Sequence, residues 1–184
     1  MKKLLLNISL FIFIILTVFN LIFLIETARN KDLSQFYYQN KELPNNYLQI
    51  EKTHMQEVKH LANVSLGINL IFLVSLLILS KSSKLDLKKV GISLLIFSAI
   101  LIISTFSFLE LFTKFHLLFF NSINWLLPEN SILIQTYPLS YFAKIFILII
   151  TIIACIGAIL TKESLKTKVT LPNNNGTNKK KDTL

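Results

Sequence analysis

One cysteine, one tryptophan, four glycines and four prolines are all that 184 residues contain. Cys155 stands alone inside an apolar run, so it can form no internal disulfide, and a thiolate metal centre is excluded. It reads as a small packing residue. So few glycines leave no phosphate-cradling loop, which argues against a nucleotide-driven pump. They leave no Gly-x-Ser-x-Gly turn either, and Ser122 and Ser131 stand in no acyl-transfer context of that kind. Charge is scarce too: Asp, Glu, Lys and Arg make up 16% of the chain against 53% hydrophobic residues, with Phe 15 among them. Such a chain is too apolar for an ordinary soluble domain. No internal repeat is evident.

What is present is length of apolar run. Four segments, at about 4–25, 61–80, 90–111 and 141–161, reach or approach the roughly 20 residues that cross a hydrocarbon core. The expected fold is an all-α membrane protein with four transmembrane helices over residues 1–161. The first run follows Met1-Lys2-Lys3 like a secretory signal. It is too long for a signal's apolar region, however, and ends in Ile25-Glu26-Thr27-Ala28-Arg29 with no small-x-small cleavage pattern, so it reads as a retained anchor.

The basic residues set an expected orientation. With both termini cytoplasmic, the inner side collects Lys2, Lys3, the turn Lys81, Lys84, Lys88 and Lys89, and the lysines of the tail. On the outer side Arg29, Lys31, Lys41, Lys52, Lys59, Lys114 and Lys144 are balanced by Glu26, Asp32, Glu42, Glu51, Glu57, Glu110 and Glu129. The formal net charge of +9 then lies wholly on the inner side. A basic rim on anionic lipid accounts for it, so nucleic acid is no expected partner. The tail, 162–184, is polar and basic with too little apolar surface to fold, and is expected to be disordered. Its Asn175-Gly-Thr is a chance glycosylation match that the cytoplasmic side would never modify.

The outer pieces, 26–60 and 112–140, are rich in Tyr, Phe, Asn and Pro and suit a small extracytoplasmic cap lying on the bilayer. Pro44 with Asn45-Asn46 predicts a turn. Pro128 and Pro138 bracket a short apolar stretch, Ile132-Leu-Ile-Gln-Thr-Tyr137, that reads as a short strand.

All three histidines fall on the outer side at the ends of spans. A single interfacial histidine is ordinarily an amphipathic anchor, and Trp125, Tyr137 and Tyr141 have the same plain reading as aromatic-belt residues. His54 and His116, however, come from different spans at one depth, so a bundle can bring them face to face. Two imidazoles suit acid–base work, one accepting a proton while the other donates to an oxyanion. His60 is six residues beyond His54, a turn of about 240° on a helix, and so points away toward lipid. Glu57 lies one turn after His54 and can orient its ring or pair with Lys52 or Lys59. His54, Glu57 and His116 are also ligand types that suit zinc, but His-x-x-Glu lacks the second helical histidine of a zincin. No metal and no cofactor is expected.

A set of residues carries a more specific signal: His54-Met-Gln-Glu57-Val58, then Phe112-Thr-Lys-Phe115-His116-Leu-Leu-Phe119-Phe120, Asn124-Trp125, Pro128, Leu133-Ile134 and Tyr137-Pro138. In order and spacing, over roughly residues 50–142, it resembles the four-helix bacterial membrane family that includes the lipoprotein intramolecular transacylases. Residues 26–49 carry no motif that matches. The resemblance implies an acyltransferase of the bacterial plasma membrane, with membrane lipid around it and a diacylated lipoprotein as substrate. An acyl chain passes from the sn-2 ester of the diacylglyceryl group to the α-amine of the N-terminal Cys, leaving a lyso form. It implies catalysis by His54 and His116, with Glu57, Phe115, Phe119, Phe120, Asn124, Trp125 and Tyr137 about the substrate. Two other classes compete. A non-enzymatic assembly subunit would bind a partner through its cap. A small transporter would need charge inside the spans, where only Glu110 comes close.

Overall fold

A computed structural model describes residues 1–120 and 122–169, of which 164–169 are described for the backbone alone. Among these residues seven α-helices form. They are α1 (Lys2–Arg29), α2 (Lys31–Tyr38), α3 (Gln49–Ser80), α4 (Leu87–Ser104), α5 (Phe108–Phe119), α6 (Ile132–Thr136) and α7 (Leu139–Val169). A single 3₁₀ turn, Thr105–Ser107, joins α4 to α5. Among the described residues four helical stretches are long and apolar enough to cross a membrane: Lys2–Arg29, Gln49–Ser80, Leu87–Phe119 and Leu139–Glu163. Their large side chains are widely exposed, Ile71 at 65% and Ile103 at 70% among them. Only an apolar solvent makes that surface inexpensive.

The helices overrun the expected spans. The second begins at Gln49 and the third carries on to Phe119, so both histidines lie within helices, His54 in the second turn of α3 and His116 in the last turn of α5. Nothing in Phe108–Phe119 breaks a helix, and Glu110 and Lys114 form an i,i+4 ion pair at 2.6 Å along it. α7 passes the expected end at 161 and reaches Val169. The rest of the expected tail, 170–184, lies outside the described residues.

α1 is the central post. Ser65 Oγ donates to Asn20 Oδ1 at 2.9 Å and Asn69 Nδ2 to Thr17 Oγ1 at 3.0 Å, so polar pairs in the apolar stretches lock α3 against it. Val18 and Ile22 of α1 share a core with Val90, Leu94 and Ile153. At the end opposite the histidines, Lys3 meets Asp86 at 3.3 Å, while the Asp86 side chain caps α4 by accepting from Lys89 N–H.

The closest packing is between α4 and α7. A Cβ on Gly91 would lie 2.5 Å from Thr161 Oγ1 and 2.7 Å from the Gly157 carbonyl, so only glycine lets these backbones approach. Gly91→Val is expected to lower the thermal unfolding midpoint of the reconstituted protein, at a cost of about 1–3 kcal/mol for overpacking. Gly67→Ala is the control: a Cβ there meets nothing within 4 Å and should leave the midpoint where it was or raise it slightly.

The cap is helical. Asn30 ends α1 and starts α2, its side chain accepting from Asp32 and Leu33 N–H at 3.0 and 3.2 Å. α2 turns Leu33 and Phe36 into a small core with Leu43, Tyr47, Met55 and Leu133. The turn expected at Pro44 forms, closed by Tyr47 N–H to Pro44 O at 3.1 Å. Burial, then the nearby Asp32 carboxylate, pushes the Tyr47 phenol up to about 12, and its hydroxyl donates to Asp32 at 3.4 Å.

The strand expected at 132–137 is corrected. No strand occurs among the described residues, and Ile132–Thr136 is a helix. Ser131 caps it by accepting from Ile134 N–H at 3.3 Å, and Leu133 N–H goes to a carboxylate of α3 at 2.8 Å. A strand there would have needed a partner, and none lies beside it in the cap.

Candidate active site: a histidine pair under an aromatic wall

His54 rides on the N-terminal part of α3 and His116 on the C-terminal part of α5, and the two imidazole centroids are 6.0 Å apart. Each side chain is nearly enclosed, with 8% of either residue exposed. The enclosure is made of rings. Phe120 lies 5.1 Å from His54 and 5.3 Å from His116. Phe112, Trp125 and Phe115 stand 4.2, 5.0 and 5.6 Å from His116. An i,i+4 relation on α5 puts Phe112 beneath His116. The chain leaves the helix at Phe120, whose N–H still donates to the His116 carbonyl at 2.9 Å, and turns back so that Trp125 covers the ring.

The ring nitrogens are differently placed. His116 Nδ1 lies 2.7 Å from the Phe112 carbonyl oxygen. A carbonyl only accepts, so Nδ1 carries the hydrogen, and Nε2 of the neutral ring is left with its lone pair. His54 Nδ1 faces Glu57 Oε2 at 3.8 Å, beyond hydrogen-bond length, and neither atom has another partner although both are buried. Among the described residues no three of His, Cys, Asp and Glu converge as metal ligands would.

The sequence profile of the lipoprotein intramolecular transacylase family, Lit, matches residues 37–142, more than half of the chain. The chain belongs to this family. No curated protein and no solved structure matches it. The Lit match begins in α2 and ends in the first turns of α7, so it holds both histidines, every ring around them and the whole of α6.

Of the Lit residues expected about the substrate, the structure gathers Glu57, Phe115, Phe120 and Trp125 at the pair. Phe119 is set apart: it is 48% exposed and stacks on Phe115 at 4.8 Å. Tyr137 packs against the cap core and against Tyr141 at 5.0 Å, away from the imidazoles, and burial raises its phenol. Asn124 makes a local contact in the loop, its backbone N–H donating to Ser122 Oγ at 3.2 Å, and is not brought to the imidazoles by it. His60 is exposed on α3 and does not join the pair.

Two residues of the site go beyond those expected about the substrate. Phe112 supplies both a ring and a carbonyl to His116, and its spacing of four on a helix was the available signal. Glu51 is completely buried. Its two carboxylate oxygens accept from Leu48 N–H at 2.7 Å and Leu133 N–H at 2.8 Å, which ties α6 to the helix that carries His54. Two apolar grooves lie elsewhere, one between α1 and α7 and one between α4 and α7, and neither is lined by a histidine.

Proposed function

We propose that this protein moves an acyl chain within a diacylated lipoprotein, from the sn-2 ester of the diacylglyceryl group to the α-amine of the N-terminal Cys. The observation that carries the reading is the meeting of two imidazoles, 6.0 Å apart, from separate membrane-spanning helices, inside the region that matches the transacylase family. The capped end would face outward and both termini inward. That orientation puts Lys2, Lys3, Lys81, Lys84, Lys88 and Lys89 on the cytoplasmic side, where anionic lipid and the positive-inside rule favour them.

Attack of the amine on the ester carbonyl closes a ring of about eight members through Cα, Cβ, sulfur and two glycerol carbons. Such rings close rarely in free solution, so holding the compact conformer is the larger part of the catalytic task. The aromatic wall suits that holding. With an α-amine titrating at about 7.7–8.0, a fair share is neutral near pH 7, and the base has to take the second proton as the tetrahedral adduct forms. His116, whose Nε2 is free to accept, is the assigned base. His54 is the assigned donor to the oxyanion through Nε2–H, a role that requires the doubly protonated ring with the Glu57 carboxylate behind Nδ1 as its counter-charge. Collapse breaks the ester C–O bond, the proton passes to the glyceryl oxygen, and an amide and a free hydroxyl result. No acyl-enzyme is required.

Because the reaction is an isomerisation, the substrate's mass does not change. The test is therefore tandem mass spectrometry of a synthetic diacylated lipopeptide incubated with the protein in vesicles. The acyl group should fragment with the α-nitrogen, and the free α-amine should disappear. A lipopeptide that keeps its free amine and both esters counts against the proposal and favours a partner-binding role for the cap.

A further inference from the structure

Between Lys114 and Glu129 the sequence contains no Asp, Glu, Lys or Arg. The stretch includes the last turn of α5 and a tight turn closed by Leu126 N–H to Ile123 O at 3.0 Å. It is two-sided. Phe120 and Trp125 pack on the imidazoles, and Leu127 packs on the cap core. Leu118 and Ile123, by contrast, are each 75% exposed, Leu117 66% and Leu126 58%. Four large aliphatic side chains so close in sequence, without a charge among them, are unsuited to water.

What covers them is indicated by where they start. Leu117 and Leu118 end the span Leu87–Phe119, whose other exposed side chains, Ile103 at 70% and Leu109 at 63%, already face lipid. Ile123 and Leu126 extend that surface with no charged residue to interrupt it. We infer that Leu117, Leu118, Ile123 and Leu126 form a wedge seated in the acyl chains of the bilayer leaflet at the capped end. A partner protein would be expected to meet some charge or hydrogen-bonding group at the patch, whereas acyl chains need neither.

The wedge has a consequence for the site. Trp125 lies in sequence between Ile123 and Leu126 of the wedge and its ring is 5.0 Å from that of His116, so the depth at which the wedge rests fixes the depth of the histidine pair to within a few residues' reach. Lipid esters lie at that boundary between headgroup and hydrocarbon. The inference does not need the transacylase reading, because any reaction at this pair would find ester linkages at its level.

Trp125 is the single tryptophan of the protein, which makes its emission an unlabelled depth gauge. The protein is reconstituted in phosphatidylcholine–phosphatidylglycerol vesicles that contain lipids brominated near the ester, midway or near the methyl end of the acyl chain. Quenching is expected to be strongest for bromine near the ester and weak for aqueous iodide. Emission quenched by iodide and indifferent to every brominated lipid overturns the inference, whether water or a protein covers the patch. The paired substitution Ile123→Lys with Leu126→Lys alters only exposed positions, and unchanged circular dichroism verifies the fold. It should remove most of the lipid quenching and open Trp125 to iodide; a variant that keeps wild-type quenching also overturns the inference. Neither readout depends on lipopeptide turnover, so this proposal and the acyl-transfer reading can fail separately.

Discussion

Replacing His116 with alanine is expected to lower the rate of acyl transfer by about two to four orders of magnitude, the usual loss when a general base is removed. His54→Ala should cost about 10²–10³-fold, the range for loss of one oxyanion donor. The order of the two losses follows from the ring nitrogens. The Phe112 carbonyl, 2.7 Å from His116 Nδ1, leaves Nε2 of that neutral ring as the acceptor, whereas the Glu57 carboxylate, 3.8 Å from His54 Nδ1, can hold a doubly protonated His54 ring that donates from Nε2. The double variant should be little worse than His116→Ala, since groups that act as one unit are strongly non-additive. Initial rates of conversion of the lipopeptide in vesicles give the comparison, with membrane recovery of each variant measured alongside. A His116→Ala protein that converts substrate at more than about a tenth of the wild-type rate would remove the base assignment. Losses in the reverse order would exchange the two roles.

The parts of this molecule that were legible in the chain are those governed by long-range composition. Four apolar runs imply four spanning helices, because lipid leaves the backbone no alternative way to satisfy its hydrogen bonds, and the helices found are those runs with extensions. The juxtaposition of His54 and His116 followed from their shared depth at the ends of two runs. Helix ends were less legible. Polar residues such as Glu57 and Lys114 mark where hydrocarbon stops, not where the helix stops, so α3 starts well before the expected span and α5 outlasts it.

The cap shows where local pattern was insufficient. Ile132-Leu-Ile reads as β-branched and flanked by prolines, which suits a strand, but a five-residue element is decided by its neighbours. Here the Ser131 side chain and the Glu51 carboxylate take backbone N–H groups of the first turn, and the helix wins. Residues 26–49 carry no motif from which α2 is expected, although Asn30 as a cap and Leu33, Phe36 and Tyr37 on one face do spell a short amphipathic helix. In the sequence Glu51 reads only as an outer charge. The capping pattern it completes ordinarily has Ser or Thr three residues earlier, and Leu48 in that place concealed it.

Removing the Glu51 carboxylate should have the largest effect on the cap. Among the described residues it is the one side chain that joins α3 to α6 by a hydrogen bond within the enclosed interior, across 82 residues of sequence. The segment from Phe120 to Leu133, which carries Trp125 over His116, is thus fastened at one end by α5 and at the other by this bond. Glu51→Ala leaves the N–H groups of Leu48 and Leu133 without acceptors, at about 1–3 kcal/mol each where water cannot replace the oxygen. Glu51→Gln keeps the volume but offers one oxygen to two donors, and should fall between the alanine variant and the wild type. In hydrogen exchange followed by mass spectrometry, the Leu133 amide should lose protection by about tenfold or more in Glu51→Ala, since each 1.4 kcal/mol of opening energy is worth that factor. Amides of α4 and α7, which pack on each other through Gly91 and Gly157, should exchange as before. Acyl transfer should fall with the protection, because a released loop no longer holds Trp125 and Phe120 against the imidazoles. Full protection at Leu133 in the alanine variant would mean that Leu133, Leu43 and Met55 hold α6 by apolar packing alone and that the carboxylate is incidental to the site.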